Sequence, residues 1–166
     1  MRQFYDIFPT PVGDFSIAVD ANGSVIATAF GGLAELRDRF AADEVARDPG
    51  RVAAARREVT EYFSGQRAVF TLKLAPSGTP FQQGVWAALQ RIPFGETRSY
   101  GQIATELGNP GASRAVGRAN ATNPIALIVP CHRVIGSDGS LTGFAFGEDI
   151  KRRLLAHEGA SHPPSA

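Results

Sequence analysis

Cysteine occurs once in the 166 residues, methionine once, tryptophan once and histidine three times. One cysteine cannot close an internal disulfide and cannot alone hold a structural zinc, so a reducing cytosol is the expected setting. No apolar run nears the roughly 18 residues needed to span a bilayer. The N-terminal stretch, Met1 to Phe15, mixes acids, aromatics and prolines where a signal peptide would need an apolar core. Charge of one sign is also missing: 17 Lys+Arg face 16 Asp+Glu, a net of +1, which excludes indiscriminate polyanion binding but not a local basic patch. What remains is an ordinary globular composition, 43% hydrophobic and 20% charged, long enough to bury a core.

The first part of the chain reads as strand and turn. Phe15 to Val19 alternates apolar and polar, Asp20-Ala21-Asn22-Gly23 carries hairpin chemistry, and Ser24 to Phe30 is the returning strand. Helical spacing follows over Leu33–Phe40 and Arg51–Phe63, and Phe70–Leu74 reads as a third strand. Ala75-Pro76-Ser77-Gly78-Thr79-Pro80 is the best linker in the sequence. Beyond it come an amphipathic helix carrying Phe81, Val85, Trp86 and Leu89, a short helix over Tyr100–Leu107, and a third over Ser113–Asn120 capped near Gly111 or Ser113. The apolar run Ile125–Val129 is strand-like and stops at Pro130, and Asp149–His157 forms a last helix. The expected fold class is α+β. A small N-terminal antiparallel sheet with helices, residues 1–76, precedes a mostly helical part, residues 77–160, with a helix-turn-helix, winged-helix-like motif; residues 161–166 form a flexible tail.

Charge divides along the same line. Residues 1–80 carry 9 basic and 10 acidic side chains, a net of −1, and residues 81–166 carry 8 and 6, a net of +2. Within 91–133, five arginines face two glutamates. Clusters of this size are often plain solvated faces.

Cys131 follows the apolar run and Pro130, with His132 and Arg133 next to it. A free thiol, with a pKa of about 8.5, needs a basic or cationic neighbour to react at neutral pH. The residue types suit that, yet a buried structural cysteine is the commoner fate of a lone Cys, and adjacent side chains normally diverge. On the residues alone both readings stand.

The wider pattern resembles the O6-alkylguanine-DNA alkyltransferases, the methylated-DNA–protein-cysteine methyltransferases. Pro130-Cys131-His132-Arg133-Val134 is similar to their active-site signature. Ile92 to Tyr100, Ser113 to Gly117, Asn123-Pro124 and Leu154 to Gly159 match the family's other landmarks in order, over about residues 81 to 159. The resemblance implies a DNA repair protein that flips O6-alkylguanine, and less efficiently O4-alkylthymine, out of the duplex. It would transfer the alkyl group irreversibly to Cys131, once per molecule and without cofactor or metal. His132 would take the thiol proton by way of a water, Glu158 would orient His132, and Asn123 would fix the turn bearing the active-site segment. Tyr100 would crowd the phosphate 3′ to the lesion and hydrogen-bond guanine N3. Val134 would read the exocyclic edge of guanine.

The helix Ser113–Ala121, lined with small residues such as Ala115 and Gly117, would enter the minor groove of double-stranded DNA, with Arg114 filling the vacated base position. Ser113 would bind DNA with that helix, and groups near Gln82, Ser99, Asn109 and Ser137 would contact phosphates. The protein would act as a cytoplasmic monomer, with cooperative binding along DNA open. The chain departs from the family at Leu141 to Gly147, where Phe144 replaces a usual tyrosine and Phe146 stands where small residues are usual. If Phe144, Ala145 and Phe146 wall the alkyl pocket, bulky adducts fit worse than methyl. The single cysteine also excludes the structural zinc of some relatives. Two other readings compete: a non-catalytic lesion-binding or regulatory DNA-binding protein, against which Cys131 argues, and a thiol hydrolase, which would turn over repeatedly.

Overall fold

The computed structural model describes residues 2–41 and 44–160; the tail expected at 161–166 lies outside the described residues. The chain divides into two compact units, Met1–Ser77 and Gly78–Ala166.

In the first unit the strands β1 (Gln3–Thr10), β2 (Gly13–Asp20) and β3 (Val25–Phe30) form a meander. A short edge strand, β4 (Val45–Arg47), joins β1 in parallel, so the sheet runs β3-β2-β1-β4 and is mixed rather than purely antiparallel. The chain leaves β3, crosses through helix α1 (Leu33–Arg37) and returns to the far side of β1, and such a crossover delivers a parallel neighbour. The expected hairpin stands: Asp20 Oδ1 accepts from the backbone N–H groups of Asn22 and Ser24 and closes the β2–β3 turn. β1 is a strand the sequence reading missed, because Phe4, Asp6 and Phe8 share the buried face and a carboxylate breaks the apolar alternation. Asp6 is only 1% exposed and is paired with Arg47 and Arg56. Phe70–Leu74 forms no full strand; it touches the sheet through a bridge from Leu74 to Val25.

Helix α2 (Pro49–Phe63) starts on the Asp48 cap with proline in its first turn, and lays Val52, Ala55, Val59 and Tyr62 over β1 and β2. Phe15 at the centre stacks edge-on against Phe8 and Phe30, with centroids 5.9 and 4.9 Å away.

The second unit is helical. Helices α3 (Pro80–Gln90) and α4 (Tyr100–Glu106) each open on a capping box, Thr79 with Gln82 and Ser99 with Gln102. Helix α5 (Ser113–Ala121) begins after Ala112, with no side-chain cap from Gly111 or Ser113. It packs on α3 and α4, and Trp86 Nε1 donates to the Ala119 carbonyl at 2.8 Å. Helix α6 (Glu148–His157) closes the unit and packs against the 3-10 turn at Cys131–Arg133. Two-residue strands β5 (Arg98–Ser99) and β6 (Val134–Ile135) pair in parallel beside that turn.

The run Ile125–Val129 is not a strand. It folds back on itself, with the Val129 N–H bonding the Ile125 carbonyl and Leu127 at φ 75°. Asn123 holds it: its Nδ2 donates to the Val129 carbonyl at 2.9 Å and its Oδ1 accepts from the Ile125 N–H at 3.0 Å. All five apolar residues are buried, so a continuous apolar run here marks a buried turn, whose polar backbone needs an internal partner.

Candidate active site

Cys131 opens the 3-10 turn and is 4% exposed. The tight winding of that turn and the packing of α6 give each of the next two side chains a buried partner on Glu158, the residue that ends α6. His132 Nε2 lies 2.7 Å from Glu158 Oε2. Arg133 donates through Nε to Oε1 at 2.8 Å and through Nη2 to Oε2 at 3.0 Å, and its Nη1 reaches the Ile92 carbonyl at 2.8 Å. The guanidinium also lies over the Phe94 ring, 5.8 Å from its centroid.

The electrostatics of this trio are set by burial and by the pairing. Burial alone would raise the Glu158 carboxyl, but the hydrogen bonds and charges of His132 and Arg133 outweigh it and hold the group well below the usual carboxylate range. Burial lowers the His132 pKa below 6.5, outweighing the pull of Glu158. At neutral pH the pair is therefore a carboxylate and a neutral imidazole. The carboxylate accepts from Nε2–H, which leaves Nδ1 as the ring's lone-pair nitrogen; Nδ1 is buried and without a hydrogen-bond partner among the described residues.

Tyr100 occupies the first position of α4. Its Oη donates to the Thr142 carbonyl at 2.8 Å. Glycine makes this position possible. Gly143 stands at φ +88°, and a Cβ there would come within 2.5 Å of the Tyr100 hydroxyl. Burial, then the nearby Cys131, push the Tyr100 pKa up to about 12, with Asn120 opposing, so the phenol keeps its proton.

A cleft of about 760 Å³ opens beside this residue. Among the residues singled out from sequence, Tyr100, Ser113, Arg114, Gly117 and Ser137 line it; Arg118, Asp138, Thr142 and Gly143 join them. Arg114 and Arg118 are both exposed, one helical turn apart on α5. Ala115, Asn109, Gln82, Val134, Phe144, Ala145 and Phe146 lie outside that lining among the described residues. Gln82 serves the Thr79 capping box and donates to Thr122 Oγ1. Asn109 is exposed and its carbonyl accepts from the Ala112 N–H in the turn between α4 and α5. Val134 is fully buried, and Phe144, also buried, meets Phe146 edge-on at 5.8 Å.

Three participants escaped the sequence reading as site residues. Arg133 had adjacency as its only signal. Asn120, buried on α5, donates from Nδ2 to the Cys131 carbonyl at 3.3 Å. Lys151 was legible in principle, since it shares the apolar face of α6 with Leu154, Leu155 and Glu158 at helical spacing, where a lysine is out of place. Among the described residues no three His, Cys, Asp or Glu side chains are grouped to hold a metal, and no helix is long and apolar enough to cross a membrane.

Comparison with known proteins places this geometry among relatives. Residues 80–160 match the family model for the 6-O-methylguanine DNA methyltransferase, DNA binding domain. A methylated-DNA–protein-cysteine methyltransferase of Methanosarcina acetivorans is 48% identical over 158 residues, covering 95% of this chain and 99% of its own. One from Mycobacterium bovis is 46% identical over 164 residues, covering 96% and 94%. Among solved structures, Mycobacterium tuberculosis OGT in complex with DNA superposes with a TM-score of 0.85 at 41% identity, covering 98% of this chain and 96% of that one.

Proposed function

Because the chain belongs to the methylated-DNA–protein-cysteine methyltransferase family, enzymes of DNA repair by alkyl transfer, we propose that it extrudes O6-alkylguanine from duplex DNA and takes the alkyl group onto Cys131, once per molecule. O4-alkylthymine is the poorer substrate. The observation that carries this reading is the buried His132–Glu158 pair next to the buried Cys131, with His132 neutral and its Nδ1 unpartnered.

The steps follow from that pair and its free ring nitrogen. The Cys131 thiol gives its proton to His132 Nδ1, through one water, while Glu158 steadies the imidazolium that forms. The thiolate sulfur attacks the alkyl carbon in line, forming a C–S bond as the C–O6 bond breaks. The electron pair of that bond leaves with guanine, and Tyr100 supplies a proton at guanine N3 so that the base departs neutral. The proton that His132 took from the thiol then returns to Tyr100 through water, which leaves both side chains neutral. A thioether has no hydrolytic exit under these conditions, which makes the event single.

On the DNA side, α5 with Ser113, Arg114, Ala115 and Gly117 enters the minor groove, and Arg114 takes the place of the extruded base. Asn109, Ser137 and Gln82 sit at its margins as phosphate contacts, and Val134, Phe144, Ala145 and Phe146 border the alkyl group. Residues 77–160 carry both chemistry and DNA binding, and the protein works as a monomer. Intact mass after incubation with a duplex bearing O6-methylguanine tests the proposal. One methyl per molecule, mapped to Cys131 and absent from Cys131→Ser, is expected; repeated turnover or an unmodified protein would overturn it.

A further inference from the structure

Lys151 is 0% exposed and projects from the apolar face of α6, where leucines at 154 and 155 flank it. A buried ammonium is costly unless its donors are met, so a lysine at such a position calls for a specific partner. Its partners are two backbone carbonyls. Nζ donates to the carbonyl of Val134, three residues after Cys131, and to that of Thr142 at 3.3 Å. The Thr142 carbonyl is also the acceptor of the Tyr100 hydroxyl, at 2.8 Å. One oxygen therefore receives a phenol from α4 and an ammonium from α6.

We propose that Lys151 is a positioning residue for Tyr100: by tying the Thr142 carbonyl to the Val134 carbonyl, it holds the Tyr100 hydroxyl at the cleft in the place from which it protonates departing guanine. This rests on the alkyl-transfer reading above. A carbonyl has two lone pairs, so both donors are served together in the free protein. When the phenol O–H turns toward the guanine nitrogen, the ammonium keeps the Thr142 carbonyl hydrogen-bonded. The donor exchange then leaves no orphaned acceptor, and the loop that bears Gly143 stays in register with Tyr100. Gly143 permits the close approach; Lys151 fixes where it happens. Burial lowers the Lys151 pKa to about 8, with Cys131 and Glu148 opposing, so the tie is still cationic at neutral pH.

A double-mutant cycle separates this role from a merely structural one. Single-turnover methyl transfer at saturating DNA is measured for the wild type, Lys151→Met, Tyr100→Phe and the double variant, with affinity for an unmodified duplex measured alongside. Lys151→Met is expected to slow transfer roughly tenfold with affinity changed by less than about twofold, and to add no further slowing in the Tyr100→Phe background. The same slowing in both backgrounds overturns the proposal. Should Lys151→Met not fold, Lys151→Gln, which keeps a donor too short to serve both carbonyls, takes its place in the cycle with the same two readings. A wild-type protein that takes up no methyl removes the premise of both proposals, whereas equal factors in an active protein remove only this one.

Discussion

Arg133 grips both carboxylate oxygens of Glu158, at 2.8 and 3.0 Å, in a bidentate pair that also leaves one of those oxygens to His132. The arginine next to the histidine thus acts on the same carboxylate, and His132 and Arg133 together keep Glu158 an anion where burial would favour the acid. Glu158 can then hold His132 in a single tautomer, with Nδ1 left as the lone-pair nitrogen.

Replacing Arg133 with methionine should therefore harm more than packing. Arg133 is 8% and Glu158 0% exposed at the side chain, so the carboxylate would be left buried without its cation. Urea unfolding is expected to show a loss of roughly 3–5 kcal/mol, the range for breaking one side of a buried pair. A loss below about 1 kcal/mol would mean that the pair behaves like an exposed one.

Stability should fall on the acid side in two stages. The folded His132 pKa lies below 6.5 and the folded Glu158 pKa below 4.5, so in each case the unfolded chain binds more protons over the interval between folded and unfolded values. Stability is then complete above the ordinary histidine value of 6.5, declines as pH drops below it toward the folded His132 value, and declines again as pH falls below 4.5 toward the folded Glu158 value. Urea midpoints across this range measure it. His132→Gln should flatten the upper stage, and an unchanged upper stage in that variant would contradict the assignment.

Asn123→Ala should destabilise the turn before Cys131. It removes a donor to the Val129 carbonyl and an acceptor for the Ile125 N–H, both in a fully buried segment. A cost of about 1–3 kcal/mol per orphaned group is expected, read from chemical denaturation.

Arg114→Ala should separate DNA handling from chemistry. Arg114 is exposed on the cleft wall, away from the buried trio. Repair of O6-methylguanine in a duplex should slow about tenfold, the equivalent of roughly 1.4 kcal/mol. The reaction of Cys131 with free O6-benzylguanine should keep its rate, and parallel slowing of both would argue that Arg114 supports the fold instead.

Phe146→Gly tests the alkyl-size preference. Phe146 is half-buried and braced edge-on by the buried Phe144, so it presents a rigid ring rather than a mobile one. Inactivation by O6-benzylguanine should accelerate in this variant while the methyl substrate is little affected. Equal ratios of the two rates in wild type and variant would place the ring outside the pocket.

Local patterning was enough for the elements that announce themselves. The Asp20 turn and the apolar stripe of α2 depend on residues a few positions apart, so their reading needs no partner from elsewhere. β1 and the Ile125–Val129 turn were misread because their logic is long-range. Asp6 is buried only because arginines from β4 and α2 reach it, and the apolar run turns only because Asn123 bonds its backbone.

The sequence by itself determined the chemical identities: one thiol, a histidine and an arginine beside it, a glutamate after the last helix, and an arginine on a small-residue helix, in an order that marks the family. Tertiary structure alone decided how they meet. It brought Glu158 across 25 residues to Arg133 and 26 to His132, set a fully buried lysine against two carbonyls, and gave one of those carbonyls to Tyr100, 42 residues from it in the chain. Burial is the physical reason: away from water, every charge and donor must find its partner inside the protein, and only the packed fold says which one it finds.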